Sequence, residues 1–111
     1  MAASSQTQIS AATALVQLLT EYPDLPTLAW RISDHASLAN TLYGSGPNSE
    51  DPRPIVAAWA EALGGEVAET PFNLDGEARV EFAVRTVWRD VPVRICMSYP
   101  VVLLAETAVA A

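Results

Sequence analysis

From residue 78 to residue 99 the sequence reads ARVEFAVRTVWRDVPVRICMSY, two alternating runs around a polar pair. No other stretch limits the fold as tightly. Side chains along a strand point to opposite faces with a period of two, so hairpin register assigns each residue to one face. If the chain turns at Arg89-Asp90 with two or four loop residues, Thr86 faces Val93, Val84 faces Ile95, Phe82 faces Met97 and Val80 faces Tyr99. That set is apolar and must be the buried face. The other face then pairs Arg85 with Arg94, Ala83 with Cys96 and Glu81 with Ser98. A three-residue loop would mix the two sets. Arg-Asp lacks the positive-φ preference of a two-residue type I′ turn, which favours a loop of four.

The other elements follow from local signals. Ser5 and Gln8 have the spacing of a capping box, and Ile9, Ala12, Leu15, Val16 and Leu19 recur at helical spacing, so a first helix is expected with that stripe inward. Pro23 ends it. In LAWRIS, Leu28, Trp30 and Ile32 alternate with Ala29, Arg31 and Ser33, the pattern of a half-buried strand. Residues 33–36 read as a turn, SLANTLY (residues 37–43) as the returning strand, and GSGPNSED (residues 44–51) as a loop. Asp51 suits a helix N-cap and Pro52 the first helical position. Ile55, Val56, Trp59, Ala62 and Leu63 make one face of that second helix, and Gly64-Gly65 stops it. Strands are expected over residues 66–72, 78–87 and 91–99, with NLDG closing the first hairpin in a four-residue register that sets Glu66 diagonally beside Arg85. The tail, residues 100–111, is apolar and suits either a strand or a short helix. The order α-β-β-α-β-β-β implies a single α+β domain over residues 1–111. It has an antiparallel sheet of about five strands, two helices on one face and a flexible lead-in over residues 1–5.

Composition narrows the partners. The chain has 111 residues, half of them hydrophobic, enough to bury a core without staples. Its formal net charge is −7, with thirteen acidic side chains against six basic ones, and every basic one is arginine. Nucleic-acid binders need clustered basic residues to release counterions, so a nucleic-acid partner is not expected. One cysteine, Cys96, precludes an intramolecular disulfide and fits a reducing compartment. The first residues lack the charged and apolar regions of a signal peptide, and no apolar run approaches a membrane span. A cytoplasmic protein without a membrane partner is expected.

Catalytic motifs do not emerge. GSGPNSED precedes a helix but has no P-loop lysine, and Glu50 and Asp51 would repel phosphate there. NLDGE, aligned on Gly76 as a calcium loop, would need Pro71 and Phe82 as ligands. His35 is the only histidine, which leaves no multi-histidine metal site, and no Cys-His pairing is visible for Cys96. No cofactor or metal is called for. Trp30 and Trp59 read as core; Trp88 either closes the core edge or stands out as an interface anchor.

The segments DLPTLAWRI, AWAEALGG and VPVRI together resemble small, alanine-rich actinomycete proteins without an assigned function. The resemblance spans most of the chain and implies no activity for any residue.

Two functions are compatible with these residues. The first is a non-catalytic module that binds a protein partner, or self-associates, through the outer sheet face: Arg79, Arg85 and Arg94, flanked by Trp88 and Arg89. Arginine opposite arginine destabilises a strand pair, so either nearby carboxylates such as Glu66 and Glu81 compensate, or the pair receives an anion or acidic partner. The second is a small-ligand protein or minor enzyme with a pocket between sheet and helices lined by Trp30, Asn40, Tyr43 and Trp59. Asn40 marks it because it interrupts the Leu38/Leu42 face and a buried amide needs partners.

Overall fold

The structure, a computed structural model, describes residues 5–33, 40–47 and 50–110, with the side chains of 5–8 and 106–110 left aside. Within that range the elements are α1 (Ser5–Glu21), β1 (Ala29–Ile32), β2 (Leu42–Ser45), α2 (Pro52–Leu63), β3 (Val67–Leu74), β4 (Glu77–Trp88), β5 (Val91–Pro100) and α3 (Val101–Ala110). The five strands form one sheet in the order β1-β2-β5-β4-β3. The fold is α+β, but the expected antiparallel sheet is corrected to a mixed one: β2 runs parallel to β5, with Tyr43 beside Arg94. Parallel neighbours need a crossover, and the path from β2 through α2 and the β3-β4 hairpin supplies it. The two expected helices become three, because the tail forms α3. Gly44 and Ser45, expected in a loop, belong to β2.

α2 is built as its sequence implies. Asp51 Oδ1 accepts the backbone N–H of Arg53 at 3.0 Å, Pro52 takes the first turn, and Gly64 ends the helix at φ 75°. A left-handed residue there satisfies a last carbonyl, Ala60, without a Cβ clash. Pro52, Ile55, Val56, Trp59 and Ala60 are buried, whereas Ala62 is only partly so.

α1 corrects its expected face. Ala11, Ala14 and Leu18 are buried with Leu15 beside them, while Ile9, Val16 and Leu19 face out. Small residues let the helix approach the sheet closely, which the larger stripe would not. The Ser5–Gln8 capping box, and residues 34–39 with the expected turn at Asp34 and His35 and the expected start of the returning strand at Leu38, lie outside what is described.

One continuous core joins α1 and α2 to a single sheet face: Leu18, Leu42, Val56, Trp59, Phe82, Val84, Val93, Ile95 and Met97 among others, with Leu104 of α3 at its margin. Trp59 is 1% exposed, donates its indole N–H to Pro26 O at 2.9 Å, and meets Trp30 edge-on at 5.4 Å and 72°. Gly44 lies opposite Trp30 on the core face. A Cβ there would stand 3.1 Å from Trp30 ring atoms and from Leu28, so the indole occupies the space a side chain would need.

The two long hairpins confirm the expected parity and correct both loop lengths. In β4-β5 the pairs Thr86-Val93, Val84-Ile95, Phe82-Met97 and Val80-Tyr99 hold, yet Trp88 pairs with Val91, leaving only Arg89 and Asp90 in the turn. Both have left-handed φ, 50° and 66°, the geometry of a type I′ turn made without glycine. In β3-β4, Leu74 pairs with Glu77 around Asp75-Gly76, and Val67 pairs with Val84. Glu66, one residue earlier, therefore falls opposite Arg85 instead of diagonal to it.

The edge of the sheet is guarded by proline. The closing pair of a two-residue hairpin is hydrogen-bonded, so bonded positions on β3 recur at Phe72, Thr70 and Ala68. Pro71 falls between them, its nitrogen turned away from β4, where a free N–H would invite another strand.

Candidate binding face of the sheet

All three helices pack on the core side, and among the described residues no element covers the other face. Its residues are set by register. Arg31 of β1 pairs with Tyr43 of β2, Tyr43 with Arg94 of β5, and Arg94 with Arg85 of β4. Three arginines and a tyrosine thus stand in one row across four adjacent strands. Three inter-strand steps make that row about 14 Å long.

The row is held by the tyrosine. The Arg31 guanidinium carbon lies 4.8 Å from the centre of the Tyr43 ring and that of Arg94 lies 5.5 Å from it. Both cations meet the negative face of the π-system. Arg94 Nε–H also donates to Cys96 Sγ at 3.3 Å, and Tyr43 Oη lies 3.8 Å from the same sulfur. Arg94 therefore leans onto β2, and this relieves its opposition to Arg85. The hydrogen bond to Cys96 raises the Arg94 pKa above its usual value, so the charge is permanent. Burial, followed by the contact with Cys96, raises the Tyr43 hydroxyl above its ordinary value and keeps it neutral.

Among the described residues no carboxylate forms an ion pair with the row, although the charge of Glu81 is felt at Arg94. Among the described residues the ion pairs are Arg53 with Asp51, Arg79 with Glu77 and Arg89 with Glu21. Arg31, Arg85 and Arg94 are in none of them. Glu66 and Glu81, the compensating partners considered from sequence, do not reach Arg85 within salt-bridge distance. A trough of about 710 Å³ runs beside Arg85 over Glu66, Thr70, Glu81 and Ala83.

The structure divides the other sequence candidates. Arg79 shares the face but lies six residues from Arg85 along β4, about 20 Å away. Its side chain is committed to Glu77 and to Ser98 Oγ at 3.2 Å. Trp88 and Arg89 leave the face altogether. Trp88 packs against the core edge with Arg89 stacked over its ring at 4.3 Å. Arg89 bonds to Gln17 Oε1 at 3.0 Å and Glu21 Oε2 at 2.6 Å, tying the turn to α1.

The four pocket candidates also part company. Trp30 and Trp59 line a cleft of about 290 Å³ with Tyr22, Leu25 and Leu28, Tyr43 stands on the opposite sheet face, and Asn40 borders a separate groove of about 500 Å³ between α1 and the Arg89-Asp90 turn. Asn40 has φ 68°, and it and Thr41 together oppose Ser33 through the bonds Asn40 N–H to Ser33 O and Ser33 N–H to Thr41 O. That is a β-bulge with asparagine in the left-handed position, a conformation asparagine tolerates. Its Oδ1 is buried without a partner.

Arg31 and Tyr43 are the members of the row that sequence reasoning did not assemble. The alternation in LAWRIS places Arg31 outward, but the neighbour that makes it part of a row depends on the β2-β5 pairing. No group of His, Cys, Asp and Glu side chains suited to a metal occurs among the described residues, and no helix there is long and apolar enough to cross a membrane. Compared with models of known families, with curated proteins and with solved structures, the chain matches none.

Proposed function

We propose that this protein is a non-catalytic binding module whose outer sheet face receives an acidic segment of a partner protein. One observation carries the reading. In a chain of net charge −7, Arg31, Arg94 and Arg85 stand outside the ion pairs formed among the described residues and align on one face that no described element covers. Arginine opposite arginine destabilises a strand pair, and the excess of acids in this chain offers ample means of avoiding it. Guanidinium groups bind carboxylates through a planar fork, and Tyr43 holds two of them ready. A row of about 14 Å spans four or five extended residues, so a short acidic stretch fits it.

The test is capture from a lysate with wild type beside Arg85→Ala/Arg94→Ala, bound proteins being identified by mass spectrometry. The reading requires a partner with an acidic stretch, retained by wild type, released by added salt and lost by the folded double variant. A partner held equally by both proteins rules the face out. A captured second copy would make the face a homo-oligomer contact instead.

The small-ligand reading keeps one specific observation: Trp30 Nε1 is buried without a partner beside the cleft that Trp30 and Trp59 line. A change in tryptophan fluorescence on screening small ligands that carry a hydrogen-bond acceptor, abolished by Trp30→Leu, would support it.

A further inference from the structure

α1 has two apolar faces, and among the described residues only one packs on the core. Opposite the buried Ala11, Ala14 and Leu18, the residues Ile9, Val16 and Leu19 are 64%, 64% and 44% exposed, with Ala12 between them. Positions 9, 12, 16 and 19 follow the three-four-three spacing of heptad a and d sites, with β-branched residues at the a-type positions, the pattern of a helix that packs along another helix. A contiguous exposed apolar stripe marks an interaction surface.

Charge identifies the occupant. No Asp, Glu or Arg occurs before Glu21, and Glu21 is itself held by Arg89. Every charged side chain of the protein lies from that residue onward. Two copies of a chain with net charge −7 repel each other over most of their surface, and the part of α1 before Glu21, which carries no charged side chain, is where they meet with least repulsion. An anionic membrane surface would call for Lys or Arg along the polar flank, and α1 has none.

We infer that α1 is a self-association helix: two copies of this chain pair about a two-fold axis, Ile9, Ala12, Val16 and Leu19 of one packing on the same residues of the other. The isologous contact closes on itself, so it stops at a dimer. The helix ends at Glu21, which limits the seam to about two heptads and makes the dimer reversible and concentration-dependent. α1 lies on the core side of the sheet, so both arginine rows stay uncovered in the pair.

Sedimentation of the whole chain over a wide concentration range tests this. Wild type should rise from its 11.8 kDa monomer mass to twice that value. Val16→Glu should remain monomeric with an unchanged far-UV spectrum, and Arg85→Ala/Arg94→Ala should dimerise as wild type does. If Val16→Glu loses its helical signal, Val16→Ser probes the same seam, with association weakened at least about tenfold. A wild type that stays monomeric throughout overturns the inference. So does a folded Val16 variant that dimerises normally, or a dimer lost in the arginine variant alone, which would move the interface to the sheet.

Discussion

Replacing Gly44 by alanine separates two opposing effects whose sizes follow from the structure. In a strand interior glycine is less favourable than alanine by about 0.5–1 kcal/mol, so backbone entropy alone predicts stabilisation. Packing predicts the reverse. The new methyl would stand 3.1 Å from two Trp30 ring atoms and from Leu28 Cδ1, tighter than ordinary contact at three places. Trp30 cannot yield easily, because it rests edge-on against Trp59, and Trp59 is anchored by its bond to Pro26 O. Overpacking of this kind costs about 1–3 kcal/mol, so a net loss of about 1–2 kcal/mol is expected. Urea denaturation followed by far-UV circular dichroism reads it as a lower midpoint at constant slope. In a Trp30→Leu background the same Gly44→Ala change should become neutral or stabilising, a coupling of about 1 kcal/mol or more. A wild-type background in which Gly44→Ala stabilises would refute the packing argument.

Two further perturbations test local devices. Arg53 holds the Asp51 carboxyl below the usual carboxylate range, chiefly through its side-chain hydrogen bonds. The stability this contributes is complete above the unfolded value of about 3.9 and is lost as pH falls through the depressed folded value. Asp51→Asn, which keeps the cap, should therefore be less stable than wild type at neutral pH, and thermal midpoints should converge in acid; a constant gap would contradict this. At the Arg89-Asp90 turn, Arg89→Ala loses the contacts with Glu21, Gln17 and Trp88 and should cost about 1–2 kcal/mol in urea denaturation. Arg89→Gly loses the same contacts but relieves the left-handed backbone at φ 50°, so it should cost less than the alanine variant; the opposite order would argue against the turn geometry.

Legibility followed the range of the interactions. The β4-β5 register could be read because period-two patterning allows only one parity, and both the Arg85-Arg94 opposition and the outward Cys96 came with it. The α2 caps could be read because Asp51, Pro52 and Gly64 act within a turn of their own positions. The turn length could not, since Arg89 and Asp90 adopt left-handed φ while Arg89 grips α1, a contact some seventy residues away in sequence. α1 misled because it is apolar on two sides, and the alanine-rich side fits against the sheet. The parallel insertion of β2 beside β5 has no local signature at all. That pairing completes the arginine row, so half of the candidate site was hidden with it.

With six arginines in the chain, the side-chain Nε–H signals of a nitrogen-resolved spectrum can separate those that bind from those already paired. Titration with a glutamate-rich peptide at low salt should move the signals of Arg31, Arg85 and Arg94 and leave Arg53, Arg79 and Arg89 in place, with the shifts disappearing as salt is added. Equal movement of all six, or none, would contradict a binding face built on the arginine row.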